Sequence, residues 1–223
     1  MWIAGPARRR PAAGRPGALR LGLHLEPGMR VGLFGGSFNP AHAGHAHVAE
    51  TALLRLGLDR VVWLVSPQNP LKGRGETRPL AERMASAALF ARGPRMLVSD
   101  AETRLGTAFT VDTVRALKAR HPGVRFVWLM GADNLAGFHR WRGWTDIMAE
   151  TPVAVVARPG SLLKARFAPA ARRYARFRWP ARRGRLLPSA EAPAWLFLRA
   201  PLNHESSTRL RALALARGAP PPP

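Results

Sequence analysis

At 223 residues, 47% hydrophobic and 22% charged, the chain has room for one sizeable α/β domain with a real core. Its formal net charge of +22 favours anionic ligands and salt-sensitive contact with polyanions. Only Lys72, Lys118 and Lys164 accompany the arginines, however, which marks a chain-wide arginine bias, and no recognisable nucleic-acid-binding motif points to a specific RNA or DNA partner. The absence of cysteine excludes disulfides and thiolate metal sites and suits a cytoplasmic location, and no apolar run is long enough to span a bilayer.

Residues 1–28 are rich in Pro, Gly and Arg, carry one acid (Glu26), and read as a disordered basic extension. Met29 stands directly before the first apolar run, so translation starting there is a second expectation for the N-terminus. Val31 to Phe34 reads as a buried strand that breaks at Gly35-Gly36, passes the turn-former Asn39-Pro40, and leads into His42-Ala43-Gly44-His45. A helix is predicted from Ala43 to Leu56. The run Val61 to Val65 has the continuous apolar character of a strand buried on both faces of a parallel sheet, and it ends in the turn-rich Ser66-Pro-Gln-Asn-Pro70 before Leu71-Lys72.

A second helix is expected over Arg78 to Ala91, and short strands over Met96–Ser99, Phe126–Met130 and Val153–Ala157. Between them come Gly106 to Thr113 opening a helix that stops near His121-Pro-Gly123, the loop Gly131 to Asn134, the aromatic stretch Phe138 to Trp144, and a helix around Asp146 to Glu150. Residues 158–190 hold ten basic residues and no acid, broken by Pro169, Pro180 and Pro188, and read as an arginine-rich surface insertion. Ala194 to Leu198 is the last predicted strand, followed by a helix from the His204–Thr208 segment to about Arg217 and a proline tail over 218–223. Strands and helices alternating at this spacing predict a Rossmann-like, doubly wound parallel sheet with helices on both faces, as a single domain over 29–217.

The opening loop carries the chemistry. Strand, glycine loop, helix aims main-chain N–H groups and a helix N-terminus at an anion, and glycine lets phosphate oxygens approach the backbone. The loop lacks the Lys-Ser/Thr ending of a P-loop and the dinucleotide fingerprint. It offers instead His42 and His45, whose spacing turns both rings to one side of the first helical turn. Further on, Ser206, Ser207 and Thr208 stand at a predicted helix start with Arg211 one turn later, where hydroxyls, helix N–H groups and a forked guanidinium suit phosphate oxygens. Trp141, in a loop between Arg140 and Arg142, suits a flat, anionic aromatic ligand.

Gly35-Gly36-Ser37-Phe38-Asn39-Pro40 with His42-x-Gly44-His45, and Ser206-Ser207-Thr208-x-x-Arg211, resemble the two signatures of the nucleotidyltransferase superfamily. Phe109-Thr110-x-Asp112-Thr113, Gly131-Ala-Asp133 and Trp141 resemble segments of its bacterial nicotinate-mononucleotide adenylyltransferase branch, so that the likeness runs from Arg30 to Arg211. It implies a nucleotidyltransferase-type fold and transfer of the adenylyl group of ATP to nicotinate mononucleotide, giving deamido-NAD and pyrophosphate in NAD biosynthesis. It further implies ATP contacts at Gly35, Gly36, Ser37, Phe38, His42, His45, Lys72, Ser206, Ser207, Thr208 and Arg211. His42, His45 and Arg211 would then be catalytic, and Thr110, Asp133 and Trp141 would hold the pyridine substrate. Mg²⁺ is expected as cofactor, carried mainly by ATP oxygens because no cluster of acids offers a protein cage. Many members carry His before the lysine matching Lys72, where this chain has Leu71, which touches one phosphate contact and leaves the reaction class intact.

Other acceptors with the same chemistry are nicotinamide mononucleotide, phosphopantetheine or a cytidylyl acceptor. A reading of a different class is a non-catalytic, arginine-rich nucleic-acid binder. A tRNA-charging enzyme would need a longer chain with an anticodon-binding domain. The expected partners are ATP and nicotinate mononucleotide, with no specific nucleic acid and no membrane; a homo-oligomer stays open.

Overall fold

The computed structural model describes residues 21–67, 77–157 and 165–199. Seven strands form one sheet: β1 (Arg30–Gly36), β2 (Arg60–Val65), β3 (Met96–Ser99), β4 (Arg125–Gly131), β5 (Val153–Val156), β6 (Arg178–Trp179) and β7 (Trp195–Leu198), in the order β3-β2-β1-β4-β5-β7-β6. Every neighbouring pair is parallel. The near-continuous apolar runs follow from this, because both faces are covered. Alternate residues feed separate cores: Leu33, Val62, Trp128 and Val155 on one face, Phe34, Trp63, Leu129 and Val156 on the other. The helices are α1 (Ala43–Arg55), α2 (Leu80–Phe90), α3 (Ala101–Leu105), α4 (Thr110–Arg120), α5 (Ala132–Gly137), α6 (Trp144–Glu150) and α7 (Pro169–Arg173). Val48, Ala52 and Leu53 of α1 and Ala87 of α2 cover the second face, while Val111, Val114 and Leu117 of α4, Leu135 of α5 and Ile147 of α6 cover the first.

The doubly wound parallel fold is the one expected, and three details differ. β1 continues through Gly35 and Gly36, paired with Leu64 and Val65, because only hydrogen at those Cα atoms admits the neighbouring rings. A Cβ on Gly35 would lie 2.4 Å from Trp128 Cη2, and one on Gly36 would lie 3.0 Å from Phe38 Cζ. Residues 21–28, placed by the sequence reading in a disordered extension, lie on the fold. Leu21 is buried, Leu23 and Leu25 pack on the same core, and Gly28 N–H donates to the Gly123 carbonyl at 2.8 Å. Residues 165–190 of the predicted surface insertion are also built in. Ala165, Ala168, Ala170 and Ala171 are buried, a run of 3-10 turns over Ala181–Ser189 buries Leu187, and β6 joins the sheet edge. The small alanines let this arginine-rich chain lie close to the core while its guanidiniums reach outward.

Candidate active site

The chain moves outward in one direction from β1 to β2 and β3, then returns to the other side of β1 for β4 and β5. Strand order therefore reverses between β1 and β4, and the crevice at their carboxyl ends is where ligands bind in open α/β sheets. Gly35-Gly36 end β1 there, Ser66 follows β2, and Gly131 ends β4 and leads to Asp133 in the first turn of α5.

His42 is the N-cap of α1. Its Nδ1 accepts a hydrogen bond from Gly44 N–H at 3.0 Å, and its carbonyl accepts from His45 N–H at 2.8 Å. An accepting Nδ1 leaves the ring proton of a neutral imidazole on Nε2, which makes that nitrogen of the buried His42 a donor. His45 stands in the first turn with its ring centroid 3.8 Å from that of His42. His42 thus both caps α1 and forms one half of a paired imidazole face.

Aromatic rings hold this pair from below. Phe38 is 1% exposed, with its ring edge-on to His45 at 4.9 Å and to Phe34 at 5.5 Å, and tilted against Trp63 at 5.1 Å. The Phe38 side chain therefore supports His45, where the family likeness had suggested an ATP contact. Phe38 also has φ of +44°, the only positive φ on a non-glycine residue among those described, a conformation that costs about 1–3 kcal/mol and persists only where its surroundings enforce it. Part of that enforcement comes from α2, which sequence reasoning overlooked. Buried Arg83 donates to the Ser37 carbonyl at 2.8 Å, and Ser86 Oγ accepts from Ala41 N–H at 3.1 Å.

On the β4 side, Thr110 is the first residue of α4 and Trp141 follows the turn Phe138–Arg140. The segments that carry them are brought together: Arg142 lies over the Phe109 ring at 4.4 Å, and Gly143 approaches Val111 so closely that a Cβ would sit 3.0 Å from Val111 Cγ1. Trp141 is half-buried and edge-on to Phe138 at 5.4 Å and Trp128 at 6.3 Å. Arg142, expected beside an anionic ligand, stacks on Phe109 instead. Asp133 is exposed at the start of α5. Between the two halves lies buried Glu102, bonded to Ser66 and to Thr113, whose Oγ1 is 3.5 Å from Glu102 Oε1 and 2.8 Å from Thr107 Oγ1. Burial pushes the Glu102 carboxyl up to about 7, and those hydrogen bonds pull it back only in part.

Lys72, Ser206, Ser207, Thr208 and Arg211 lie outside the described residues. Among the described residues, no three His, Asp or Glu side chains gather as metal ligands, and no helix is long and apolar enough to cross a membrane.

Known proteins resemble the chain over most of its length. The model of the family described as cytidylyltransferase-like matches residues 33–213. The chain is 68% identical over 183 residues to the "Probable nicotinate-nucleotide adenylyltransferase" of Caulobacter sp. (strain K31), covering 82% of this chain and 97% of that protein. It is 54% identical over 184 residues to the protein of the same name from Roseobacter denitrificans, covering 82% and 92%. The fold is similar to that of Plasmodium falciparum nicotinic acid mononucleotide adenylyltransferase complexed with NaAD, with a TM-score of 0.60 at 15% identity, over 82% of each chain.

Proposed function

From the premise that the chain belongs to the cytidylyltransferase-like family, in its nicotinate-nucleotide adenylyltransferase branch, we infer how its residues carry the reaction. The chain transfers the adenylyl group of ATP to nicotinate mononucleotide, making deamido-NAD and pyrophosphate, a step of NAD biosynthesis. The mononucleotide phosphate is already anionic at neutral pH and needs no general base. One of its oxygens forms a bond to the α-phosphorus of ATP as the bond from that phosphorus to the β-bridging oxygen breaks, and pyrophosphate departs with the electron pair. The work of the site is alignment and stabilisation of spreading charge.

The observation that carries this assignment is the imidazole pair at the start of α1, at the point where strand order reverses. His42 Nε2 and the His45 ring would donate to the α- and β-phosphate oxygens, beside main-chain groups of Gly35, Gly36 and Ser37. Lys72, Arg211 and the Ser206–Thr208 segment would hold the pyrophosphate half, as the family likeness implies. Thr110, Asp133 and Trp141 would take the nicotinate mononucleotide, with Trp141 stacking on its pyridine ring. Magnesium would arrive on the ATP oxygens, which suits a site whose described residues offer no acidic cage; when bound it neutralises phosphate charge. The cytoplasm, where both substrates occur, is the compartment that fits.

The test is direct: purified protein with Mg-ATP and nicotinate mononucleotide, monitored for deamido-NAD and pyrophosphate, with nicotinamide mononucleotide as the competing acceptor. Preference for the amide, or pyrophosphate release with neither acceptor, would overturn the substrate assignment.

A further inference from the structure

We propose that Arg83, a buried residue of α2, is a positioning residue that fixes the catalytic loop of β1 against the loop that follows β2. Arg83 is 1% exposed, and among the described residues no carboxylate pairs with it. Its guanidinium is instead spent on four main-chain carbonyls. Nε donates to Arg78 at 2.8 Å, Nη1 to Ser37 at 2.8 Å and to Ser66 at 2.7 Å, and Nη2 to Pro67 at 2.9 Å. Ser37 belongs to the loop that presents His42 and His45, while Ser66 and Pro67 leave the neighbouring strand β2.

A buried cation with no carboxylate partner among the described residues is costly, and burial lowers the Arg83 pKa accordingly. A methionine or leucine would fill the same space without that cost. What only a planar, five-donor head can do is hold two loops at one fixed separation. The held point is also the sensitive one, since Ser37 directly precedes Phe38 in its left-handed conformation, and Phe38 carries the His45 ring. Two further bonds grip the same loop. Asn39 Oδ1 accepts from Arg78 N–H at 3.4 Å, and Ser86 Oγ, one turn beyond Arg83, accepts from Ala41 N–H at 3.1 Å. The loop is thus fastened to the start of α2 and the residues before it.

This inference rests on the assignment of His42 and His45 to ATP phosphates. It is tested with Arg83→Lys and Arg83→Met, assayed well below their own melting temperatures, beside Leu187→Ala as a stability control. Leu187 is buried in the Ala181–Ser189 segment, which packs at the C-terminal end of α1 and so at the opposite end of that helix from His42. A lysine keeps the charge and loses the fork. Displacing phosphate donors by about an ångström should lower kcat about 10–100-fold and raise KM for ATP, while KM for nicotinate mononucleotide stays within about threefold. Arg83→Met should be more severe than Arg83→Lys. Leu187→Ala should lose stability and keep wild-type constants. Wild-type kcat and KM for ATP in either folded Arg83 variant would overturn the proposal, and Arg83→Lys alone decides if the methionine variant does not fold. If the wild type makes no deamido-NAD, the substrate assignment fails separately. Affinity for a methylene-bridged ATP analogue then decides: weaker binding by Arg83→Lys supports the clamp, and equal binding refutes it.

Discussion

Replacing Glu102 by glutamine should remove a definite part of the pH dependence of folding. Glu102 is 6% exposed, and its carboxyl is pushed from 4.5 up to about 7, first by burial, with hydrogen bonds from Ser66 and Thr113 opposing. Between those two values the folded chain keeps a proton that the unfolded chain releases. The stabilisation from this group is therefore complete below 4.5 and disappears as pH rises through about 7. At about 1.36 kcal/mol for each pH unit of that interval, wild type should lose roughly 2–3 kcal/mol from Glu102 between about pH 5 and about pH 8. In the Glu102→Gln variant the side-chain amide has no proton to lose over this range and can keep an acceptor for Thr113. Urea unfolding of both proteins at the two pH values isolates the contribution, because the histidines and other carboxyls cancel in the double difference. Wild type and Glu102→Gln showing the same change in stability across that range would refute a neutral, buried Glu102.

Other expectations concern the site itself. His45→Ala should reduce turnover about 10²–10³-fold while losing only about 1 kcal/mol of edge-on ring contact with Phe38; normal turnover would remove His45 from the chemistry. His42→Ala should lose activity and, because the N-cap goes with it, about 1 kcal/mol of stability, read as a lower unfolding midpoint. Gly35→Ala should destabilise by about 1–3 kcal/mol through overpacking, since its methyl would meet Trp128 at 2.4 Å, and should perturb indole fluorescence. Trp141→Ala should raise KM for nicotinate mononucleotide about tenfold, or about 1.4 kcal/mol, with KM for ATP little changed; the opposite pattern would place Trp141 on the ATP side.

Much of this was legible because buried parallel strands write long apolar runs, and β1, β2, β4, β5 and β7 all have them. The imidazole pair was legible from its spacing and its glycine loop. Arg83 was not, because an arginine on an amphipathic helix ordinarily faces water, and the carbonyls that receive it have no sequence signature. The reason for Gly35 was also hidden. The local pattern suggests room for phosphate, whereas the structure shows room for the ring of Trp128, a residue far away in the chain that no local pattern could connect to it. The alternation Leu21-x-Leu23-x-Leu25 did signal a half-buried segment, and the surrounding Pro, Gly and Arg masked it. β6 is too short for any periodicity to register.

That two-residue strand has a bearing on how copies of the chain can meet. An open sheet invites a second sheet to align beside its border, backbone to backbone. Here one of the two borders is Arg178–Trp179, followed at once by Pro180, which lacks an N–H to offer. The Arg178 guanidinium, folded 5.3 Å over the Trp195 ring, keeps a positive charge at the same rim. Two molecules meeting there would place like charges together around a pairing too brief to hold them, so self-association by continuing the sheet past this rim is disfavoured, and an alignment of two sheets would fall to the opposite border, the four-residue β3.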